Sequence, residues 1–257
     1  MELVSIIMPT YNCEQFIRES IDSVLAQTYT AWELLIVDDC STDNTAAVMV
    51  SYTDPRIRYM RNDRNMGAAL TRNRALREAK GRYIAFLDSD DLWTPDKLEK
   101  QVAFMRQHCY AFSYTCYSEM DSDGQPTGVL VSGPSRITKA GMYAFCWPGC
   151  LTVMYDTQIV GLIQIEDIKK NNDYAMWLKV SRKADCYLLP ENLATYRKGR
   201  AGSVSNHSIV TMIKWHYILF RETERMAILP SLWHTCVNLV CGTYKKIVYI
   251  HRKGVQT

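Results

Sequence analysis

The stretch YIAFLDSDD, residues 83–91, joins a buried-strand pattern directly to three carboxylates within four positions. The apolar run of residues 83–87 is typical of a strand in the interior of a sheet. Three neighbouring acids repel one another, and burying them is costly unless a cation or a hydrogen-bonded ligand compensates. The stretch therefore predicts a polar site with a positive partner at the end of a central strand.

The first hundred residues alternate short apolar strands with helical patterns. Strands are predicted at residues 4–8, 33–37, 57–60 and 83–87. Helices are predicted between these strands, including residues 14–26 and 67–80. This series predicts an α/β fold with a parallel sheet and helices on both faces, in which ligands bind beyond the carboxyl ends of the strands. Polar segments at residues 9–12, 38–39 and 88–91 follow three of these strands, so we expect them to converge.

The later sequence has shorter strand-like pieces separated by turns. Asp121-Ser122-Asp123-Gly124 is predicted to be a hairpin turn. Further strands are predicted at residues 151–155 and 187–189, with a helix at residues 173–181 between them. From about residue 208 the pattern is helical and rich in aromatic and cationic residues.

Composition excludes several classes of protein. A net charge of +3, dispersed along the chain, is too weak to indicate nucleic acid as the partner. The amino terminus carries Glu2 and has no basic region, which is unlike a signal peptide, so we expect a cytoplasmic protein. The nine cysteines include no CxxC pair and no His at zinc spacing, which favours reduced, mostly buried thiols.

The three acids of FLDSDD admit several interpretations. An EF-hand beginning at Asp88 would need glycine in place of Trp93 and an oxygen ligand in place of Leu92. A hydrolase carboxylate pair needs a second acid at a distance that sequence does not give, and helix capping does not need three acids. A divalent cation, Mg²⁺ or Mn²⁺, shared with a phosphate ligand fits best, because these ions are often held by one or two carboxylates.

Four segments in matching order resemble family 2 glycosyltransferases with the GT-A fold. They are VSIIMPTYN (4–12), ELLIVDDCST (33–42), NMGAALTRN (65–73) and GRYIAFLDSDD (81–91), the last followed by PDKL (95–98). The resemblance is close over the first hundred residues and looser to about residue 200. It implies a GT-A (Rossmann-like) catalytic domain at residues 1–207, with a nucleotide-sugar-binding half at 1–105 and an acceptor-binding half at 106–207. Residues 208–257 would form a helical C-terminal extension.

The resemblance also implies which residues bind the nucleotide-sugar donor. Pro9, Tyr11 and Asp39 would hold the base, and Asn12, in the same loop as Tyr11, would also contact the donor. Tyr11 can supply a stacking face, and Asp39 can accept a hydrogen bond from a ring N–H, which suits uracil. Arg72 lies in the segment that the family uses near the same nucleotide.

The resemblance implies a metal ligand and a catalytic base as well. Asp90 would ligate Mn²⁺ or Mg²⁺, and Asp88 would contact the ribose or the metal. The family's base begins a helix as Glu-Asp before an aromatic residue and Trp-Leu. Here NNDYAMWL (171–178) gives Asp173 that position, with Asn172 in place of Glu. Because a neutral neighbour removes like-charge repulsion, we expect Asp173 to be a slightly weaker base than its counterparts. The pair Glu166-Asp167 is a rival without the Tyr and Trp-Leu continuation.

Two further predictions concern Arg197, with the loop that follows it, and Asp91. Tyr196-Arg197, with Ser203-Val204-Ser205 and His207, resembles the family's loop after the last strand, which folds over the donor diphosphate. Arg197 would then pair with phosphate oxygens in a bidentate manner. A plain surface loop is the alternative interpretation. Asp91 is expected to cap the helix or turn that enters Pro95.

The C-terminal extension is densely apolar and ends in basic residues. Pro230 and polar residues interrupt every window long enough to span a bilayer, so no transmembrane helix is predicted. Two interpretations remain open. One is peripheral membrane contact by an interfacial helix beside anionic lipid, and the other is packing against the catalytic domain or a partner subunit.

Together these features predict an inverting, metal-dependent glycosyltransferase of the hexosyltransferase type, in bacterial polysaccharide biosynthesis. It would move a sugar from a nucleotide-sugar, a UDP-sugar, to a hydroxyl of a glycan or lipid-linked acceptor, at the inner face of the cytoplasmic membrane. A nucleotidyltransferase that makes nucleotide-sugars is an alternative, but residues 9–15 lack the glycine-rich phosphate loop that it would use. A non-catalytic binding subunit is the second alternative, although it would not need a base at Asp173.

Overall fold

The computed structural model describes residues 1–199 and 209–252, which form a mixed α/β fold around one large sheet. The strands are β1 (Val4–Thr10), β2 (Trp32–Asp38), β3 (Ile57–Arg61), β4 (Tyr83–Phe86), β5 (Leu92–Trp93), β6 (Phe112–Met120), β7 (Pro126–Val131), β8 (Arg136–Ile137), β9 (Met154–Asp156), β10 (Cys186–Arg197) and β11 (Ile250–Arg252). The helices are α1 (Ile17–Leu25), α2 (Thr45–Met49), α3 (Ala68–Glu78), α4 (Lys97–His108), α5 (Lys139–Ala144), α6 (Thr157–Val160), α7 (Asn172–Ser181), α8 (Ile209–Ile218) and α9 (Ile228–Val248).

The N-terminal part of the sheet is parallel, with strand order β4-β1-β2-β3. Successive residues of β1 belong to different buried clusters. Ile6 lies in the same cluster as Ile21 of α1, and Ile7 in the same cluster as Leu76 of α3. Because side chains alternate between the two faces of a strand, both faces of the sheet are covered. The predicted parallel sheet with helices on both faces is confirmed.

The second half extends the sheet with mixed pairing. β9 pairs antiparallel with β4 and β6, and β10 runs parallel to β6. The predicted hairpin turn joins β6 to β7, where the Asp121 carboxylate accepts from the backbone N–H groups of Asp123 and Gln125 at 3.0 and 2.8 Å. Gly124 has φ +81°, a conformation that glycine adopts readily.

Two strands differ from their predicted extents. The strand predicted at residues 151–155 begins as a 3-10 turn at Cys150–Thr152, and only Met154–Asp156 pair as β9. β10 runs from Cys186 to Arg197, well beyond the predicted residues 187–189. The strand passes Pro190 through register shifts between Leu189 and Ala194, since proline has no N–H to donate to the ladder.

The C-terminal segment is helical and then returns to the sheet. α8 continues into a π-helical turn at Leu219–Thr223 and packs against α9. β11 then pairs antiparallel with β7, which the sequence pattern did not predict. Within residues 1–199 and 209–252, no helix has the length and apolar character needed to cross a membrane. The segment Ser203-Val204-Ser205 with His207 lies outside the described residues.

Candidate active site

A cleft of about 700 Å³ opens at the carboxyl ends of β1, β2 and β4. Its lining includes Pro9 near the end of β1, Tyr11 just after β1, Asp39 after β2, and residues 88–91 after β4. The predicted convergence of these strand ends is therefore present. Arg72 of α3 and residues 170–173 at the start of α7 complete much of the wall.

Asp39 is buried and held by three donors. Its Oδ1 accepts from Asn62 Nδ2 at 2.8 Å and from the backbone N–H of Met66 at 2.7 Å, and its Oδ2 accepts from the backbone N–H of Gly67 at 2.8 Å. A carboxylate has about four acceptor positions. The fixed carboxylate thus keeps one position on Oδ2 that these donors do not use, which a ring N–H of a bound base can fill.

The loop after β1 divides its residues between two places. Pro9 and Tyr11 line the cleft, and Tyr11 is 42% exposed, so its ring can stack on a base. Asn12 lies in the wall of a smaller pocket instead. Its backbone N–H donates to Ser41 Oγ at 2.9 Å, and its Oδ1 accepts from the backbone N–H of Thr42 at 2.8 Å. Asn12 therefore ties the β1 loop to the β2 loop and does not reach the cleft.

Asp88 and Asp90 both line the cleft. Asp88 forms an ion pair with Arg72 at 2.5 Å, and its side chain is 34% exposed. Within the described ranges, no group of three or more His, Cys, Asp or Glu side chains forms a metal cluster. Two hard carboxylates fit Mg²⁺ or Mn²⁺, since phosphate oxygens and water supply the other ligands of such ions. These two acids are the residues that could hold the predicted cation.

The predicted capping role of Asp91 is wrong. Asp91 is buried, and its Oδ1 accepts from the backbone N–H of Arg197 at 2.9 Å, whereas Asp96 is the residue that precedes α4. Burial raises the pKa of the Asp91 carboxyl, and the neighbouring charges of Asp90 and Asp88 raise it further. The third acid of the motif thus joins the loop to β10.

Arg197 lies beneath the acidic loop, with its side chain only 2% exposed. Its guanidinium donates to Glu19 at 2.6 Å, to the carbonyl of Asp90 at 3.0 Å and to the carbonyl of Ser122 at 3.3 Å. It also stacks on the ring of Phe16 at 4.7 Å. The structure therefore does not bring Arg197 into the cleft, and the predicted phosphate contact would require these bonds to break.

Arg72 connects the acidic loop to the start of α7. It is buried, and besides its bond to Asp88 its Nη1 donates to Asn172 Oδ1 at 3.2 Å. The residue that replaces the family's usual Glu therefore accepts a hydrogen bond from Arg72. Burial opposes the charge of Arg72, but Asp88, Cys150 and Asp173 raise its pKa. This arginine remains charged.

Asp173 lines the same cleft. Its Oδ1 accepts from the backbone N–H of Tyr174 at 2.8 Å. Burial raises the pKa of the Asp173 carboxyl, and the charge of Arg72 opposes part of that rise. Burial therefore makes Asp173 more basic than an ordinary aspartate, whereas the sequence, from the neutral Asn172, predicted a slightly weaker base than its counterparts. The rival Glu166 forms an ion pair with Lys179 at 2.5 Å and is 46% exposed, so the geometry favours Asp173.

Sequence reasoning missed the part of the wall that comes from α8. Met212, Trp215 and His216 line the cleft. Their dense apolar spacing indicated a packed helix, but it carried no signal for which surface the helix would cover. The helix of Asp173 is also braced from this side, because Tyr174 Oη accepts from Asn238 Nδ2 of α9 at 2.8 Å.

Residues 5–142 match the family described as Glycosyl transferase family 2. The chain is 42% identical over 234 residues to the putative teichuronic acid biosynthesis glycosyltransferase TuaG of Bacillus subtilis, covering 90% of this chain and 92% of that protein. It is 41% identical over 219 residues to the UDP-Glc:alpha-D-GlcNAc-diphosphoundecaprenol beta-1,3-glucosyltransferase WfaP of Escherichia coli, covering 85% of this chain and 86% of that protein.

Solved structures show the same architecture. The crystal structure of residues 1–349 of TarS from S. aureus superposes with a TM-score of 0.70 at 20% identity, covering 96% of this chain and 74% of that chain. The same TarS fragment in complex with UDP-GlcNAc gives 0.69 at 22% identity, covering 90% of this chain and 69% of that chain. At these identities the likeness shows the fold. With the predicted motifs and the sequence relatives, it establishes that the chain belongs to glycosyltransferase family 2 and has the GT-A fold.

Proposed function

We propose that the chain is an inverting glycosyltransferase that moves a sugar from a UDP-sugar to a hydroxyl of a lipid-linked or glycan acceptor, with Mn²⁺ or Mg²⁺ as cofactor. One observation carries the proposal. A single cleft contains a candidate base-binding pair, Tyr11 and Asp39, the acids Asp88 and Asp90, and the half-buried carboxylate Asp173. A binding module would need the first two groups but not the third.

The donor assignment rests on the unused acceptor position of Asp39. The N3–H of uracil can donate to Asp39 Oδ2 while Tyr11 covers the ring. The name of the relative WfaP specifies UDP-Glc as donor and a diphosphoundecaprenol as acceptor, and the TarS complex contains UDP-GlcNAc. These names support a UDP-sugar and a lipid-linked acceptor for this chain, which would place the reaction at the membrane surface, on the cytoplasmic side.

Asp90, with Asp88, would hold the cation near the donor diphosphate. When bound, the cation supplies Lewis-acid stabilisation of the departing UDP. Arg72 orients Asp88 through the bond at 2.5 Å. The chain's own contribution here is a pair of carboxylate ligands, of which Asp88 is oriented by Arg72.

Asp173 would act as the general base. Its Oδ1 is engaged by Tyr174 N–H, so Oδ2 is the atom that would take the proton of the acceptor hydroxyl. The acceptor oxygen forms a bond to the anomeric carbon as the bond from that carbon to the diphosphate breaks, and attack from the opposite side inverts the configuration. A raised carboxyl pKa suits this task, because a base works best when its pKa lies closer to the operating pH.

The proposal is tested by incubating the purified chain with UDP-, GDP- and dTDP-sugars, with and without a diphosphoundecaprenol-linked acceptor and Mn²⁺. We expect release of UDP that requires both acceptor and cation. Formation of a nucleotide-sugar and pyrophosphate from UTP and a sugar 1-phosphate would indicate a nucleotidyltransferase instead. Binding of UDP-sugars without release under every condition would indicate a non-catalytic subunit.

A further inference from the structure

The longest helix, α9, has its polar side inward and its apolar side outward. The buried face carries Ser231, Thr235 and Asn238. Asn238 donates to Tyr174 Oη at 2.8 Å, and Lys245 Nζ donates to the carbonyl of Trp147 at 2.6 Å. Hydrogen bonds therefore hold the inner face to the protein, which is the reverse of an ordinary surface helix.

The outer face of α9 is an apolar stripe. Leu229 is 79% exposed, Trp233 67%, Val240 70% and Ile247 75%. These positions are separated by four, seven and seven residues, a spacing that keeps them on one side of a helix. Leu232 and Tyr244 flank them and are 47% and 50% exposed. A continuous exposed stripe of this kind marks an interaction surface.

Cations lie at both ends of the stripe. The sequence has no Asp, Glu, Lys or Arg between residues 226 and 244. Arg221 and Arg225 are exposed before α9, and Lys246 and Arg252 are exposed near and beyond its end. The acids between residues 209 and 252 are Glu222 and Glu224, and Glu224 is buried in an ion pair with Arg182. Exposed cations therefore precede and follow the apolar stripe along the chain, and Glu222 is the one exposed acid between residues 209 and 252.

The distribution of apolar and charged residues on and around α9 favours one kind of binding partner. A second copy packed through the stripe would place cations against cations, whether the two α9 helices ran parallel or antiparallel. Anionic lipid would neutralise both ends and receive the apolar residues between them. We propose that the outer face of α9 docks onto an anionic lipid bilayer and lies along its surface.

The helix α8, next to α9, also exposes apolar residues. α8 packs against α9 and exposes Ile209, Val210 and Ile213, each more than a third exposed. Met212 of the same helix is 40% exposed and also lines the cleft. Docking would therefore hold the acceptor side of the cleft next to the bilayer, where the sugar of a lipid-linked acceptor lies. This consequence rests on the proposed function, whereas the docking itself does not.

The docking is tested by flotation of the purified chain with phosphatidylcholine vesicles that contain or lack phosphatidylglycerol. The test variant combines Trp233→Ser, Val240→Ser and Ile247→Ser. The matched control combines Val50→Ser and Ile159→Ser, which are 82% and 54% exposed on other elements. Because each apolar side chain contributes to interfacial binding, we expect the test variant to lose about tenfold or more of its vesicle affinity. The control should bind like the wild type.

A second variant, Lys246→Glu with Arg252→Glu, should bind anionic vesicles no better than neutral ones. Equal flotation of the wild type and the stripe variant would overturn the proposal. So would a wild-type protein that is dimeric and binds no vesicles, with a stripe variant that is monomeric. The stripe variant should keep its circular dichroism spectrum and its transfer to a short-chain, water-soluble acceptor. If neither the wild type nor the variants transfer sugar while the wild type still floats, the proposed function fails and the docking stands.

Discussion

The proposed donor side of the cleft, around Asp39, and the proposed acceptor side, around Asp173, are built in different ways. On the donor side, Asp39 is fixed by donors from residues 62–67, all within one β-α-β stretch. On the acceptor side, Asn172 receives its bond from Arg72, a hundred residues earlier, and Tyr174 receives one from Asn238, 64 residues later. Local strand and loop order therefore sets the donor side, whereas packing between distant segments sets the acceptor side. Substitutions on each side should then affect different measured quantities.

The largest effect is expected from Asp173→Asn. Without a base the acceptor hydroxyl keeps its proton, so the rate of UDP release should fall about a thousandfold. UDP binding, measured by calorimetry, should stay at the wild-type level because the donor side is intact. The control is Glu166→Gln, which removes a carboxylate whose partner is Lys179 and should leave turnover unchanged. Normal turnover by the Asp173 variant would refute the assignment of the base.

A smaller loss is expected from Asp90→Asn on the donor side. An amide is a weaker ligand than a carboxylate for Mg²⁺ or Mn²⁺, so kcat/KM should fall roughly a hundredfold and more Mn²⁺ should be needed for half-maximal rate. The matched control is Asp123→Asn, since Asp123 is an exposed acid in the hairpin turn. An unchanged Mn²⁺ requirement would show that Asp90 does not hold the cation.

Arg72→Lys should affect both sides at once, and this makes it the sharpest test of the comparison. A lysine lacks the planar fork that reaches Asp88 and Asn172 together, so at least one of them loses its partner. We expect kcat to fall and the KM for the donor to rise, each by about tenfold. Arg77→Lys on the same helix should change neither, because Arg77 is exposed and donates to Gln164. A change in KM alone would confine Arg72 to the donor side.

The sequence predicted the donor side well because that side follows the strand pattern. The strand patterns of β1 to β4 located their carboxyl ends, and Pro9, Tyr11, Asp39 and Asp88–Asp91 meet there. The motif around Asp173 also placed that residue correctly in the cleft. In both cases a local pattern was sufficient.

The remaining features depend on contacts that no local pattern encodes. The local sequence predicted that Arg197 is a cation in a loop. In the structure it ends β10 and donates to Glu19 beneath the acidic loop. The local sequence predicted that Asp91 is a helix cap. In the structure its carboxylate accepts a hydrogen bond from the backbone N–H of Arg197. The stripe of α9 was visible as dense apolar spacing, but which face lies inward depends on Asn238 meeting Tyr174.

The pH dependence should distinguish the two sides further. Because burial raises the pKa of Asp173, its ionised form is lost at a higher pH than for an ordinary aspartate. UDP release in the presence of acceptor should therefore fall as pH drops through that raised pKa, with a slope of about tenfold per pH unit. UDP binding measured over the same range should change much less. A rate that stays constant down to the ordinary aspartate range would contradict the raised pKa.

The smallest effect is expected from Asp91→Asn, measured as thermal stability without nucleotide or cation. The folded-state pKa of Asp91 lies above its unfolded value, so the folded state binds more protons and wild-type stability falls as pH rises through the folded pKa. The asparagine side chain cannot ionise, and its amide oxygen can still accept the hydrogen bond from the Arg197 backbone N–H. The variant should therefore be as stable or slightly more stable at neutral pH, by about 1–3 °C in Tm, with less dependence on pH. A lower Tm for the variant at neutral pH would contradict the raised pKa of the Asp91 carboxyl.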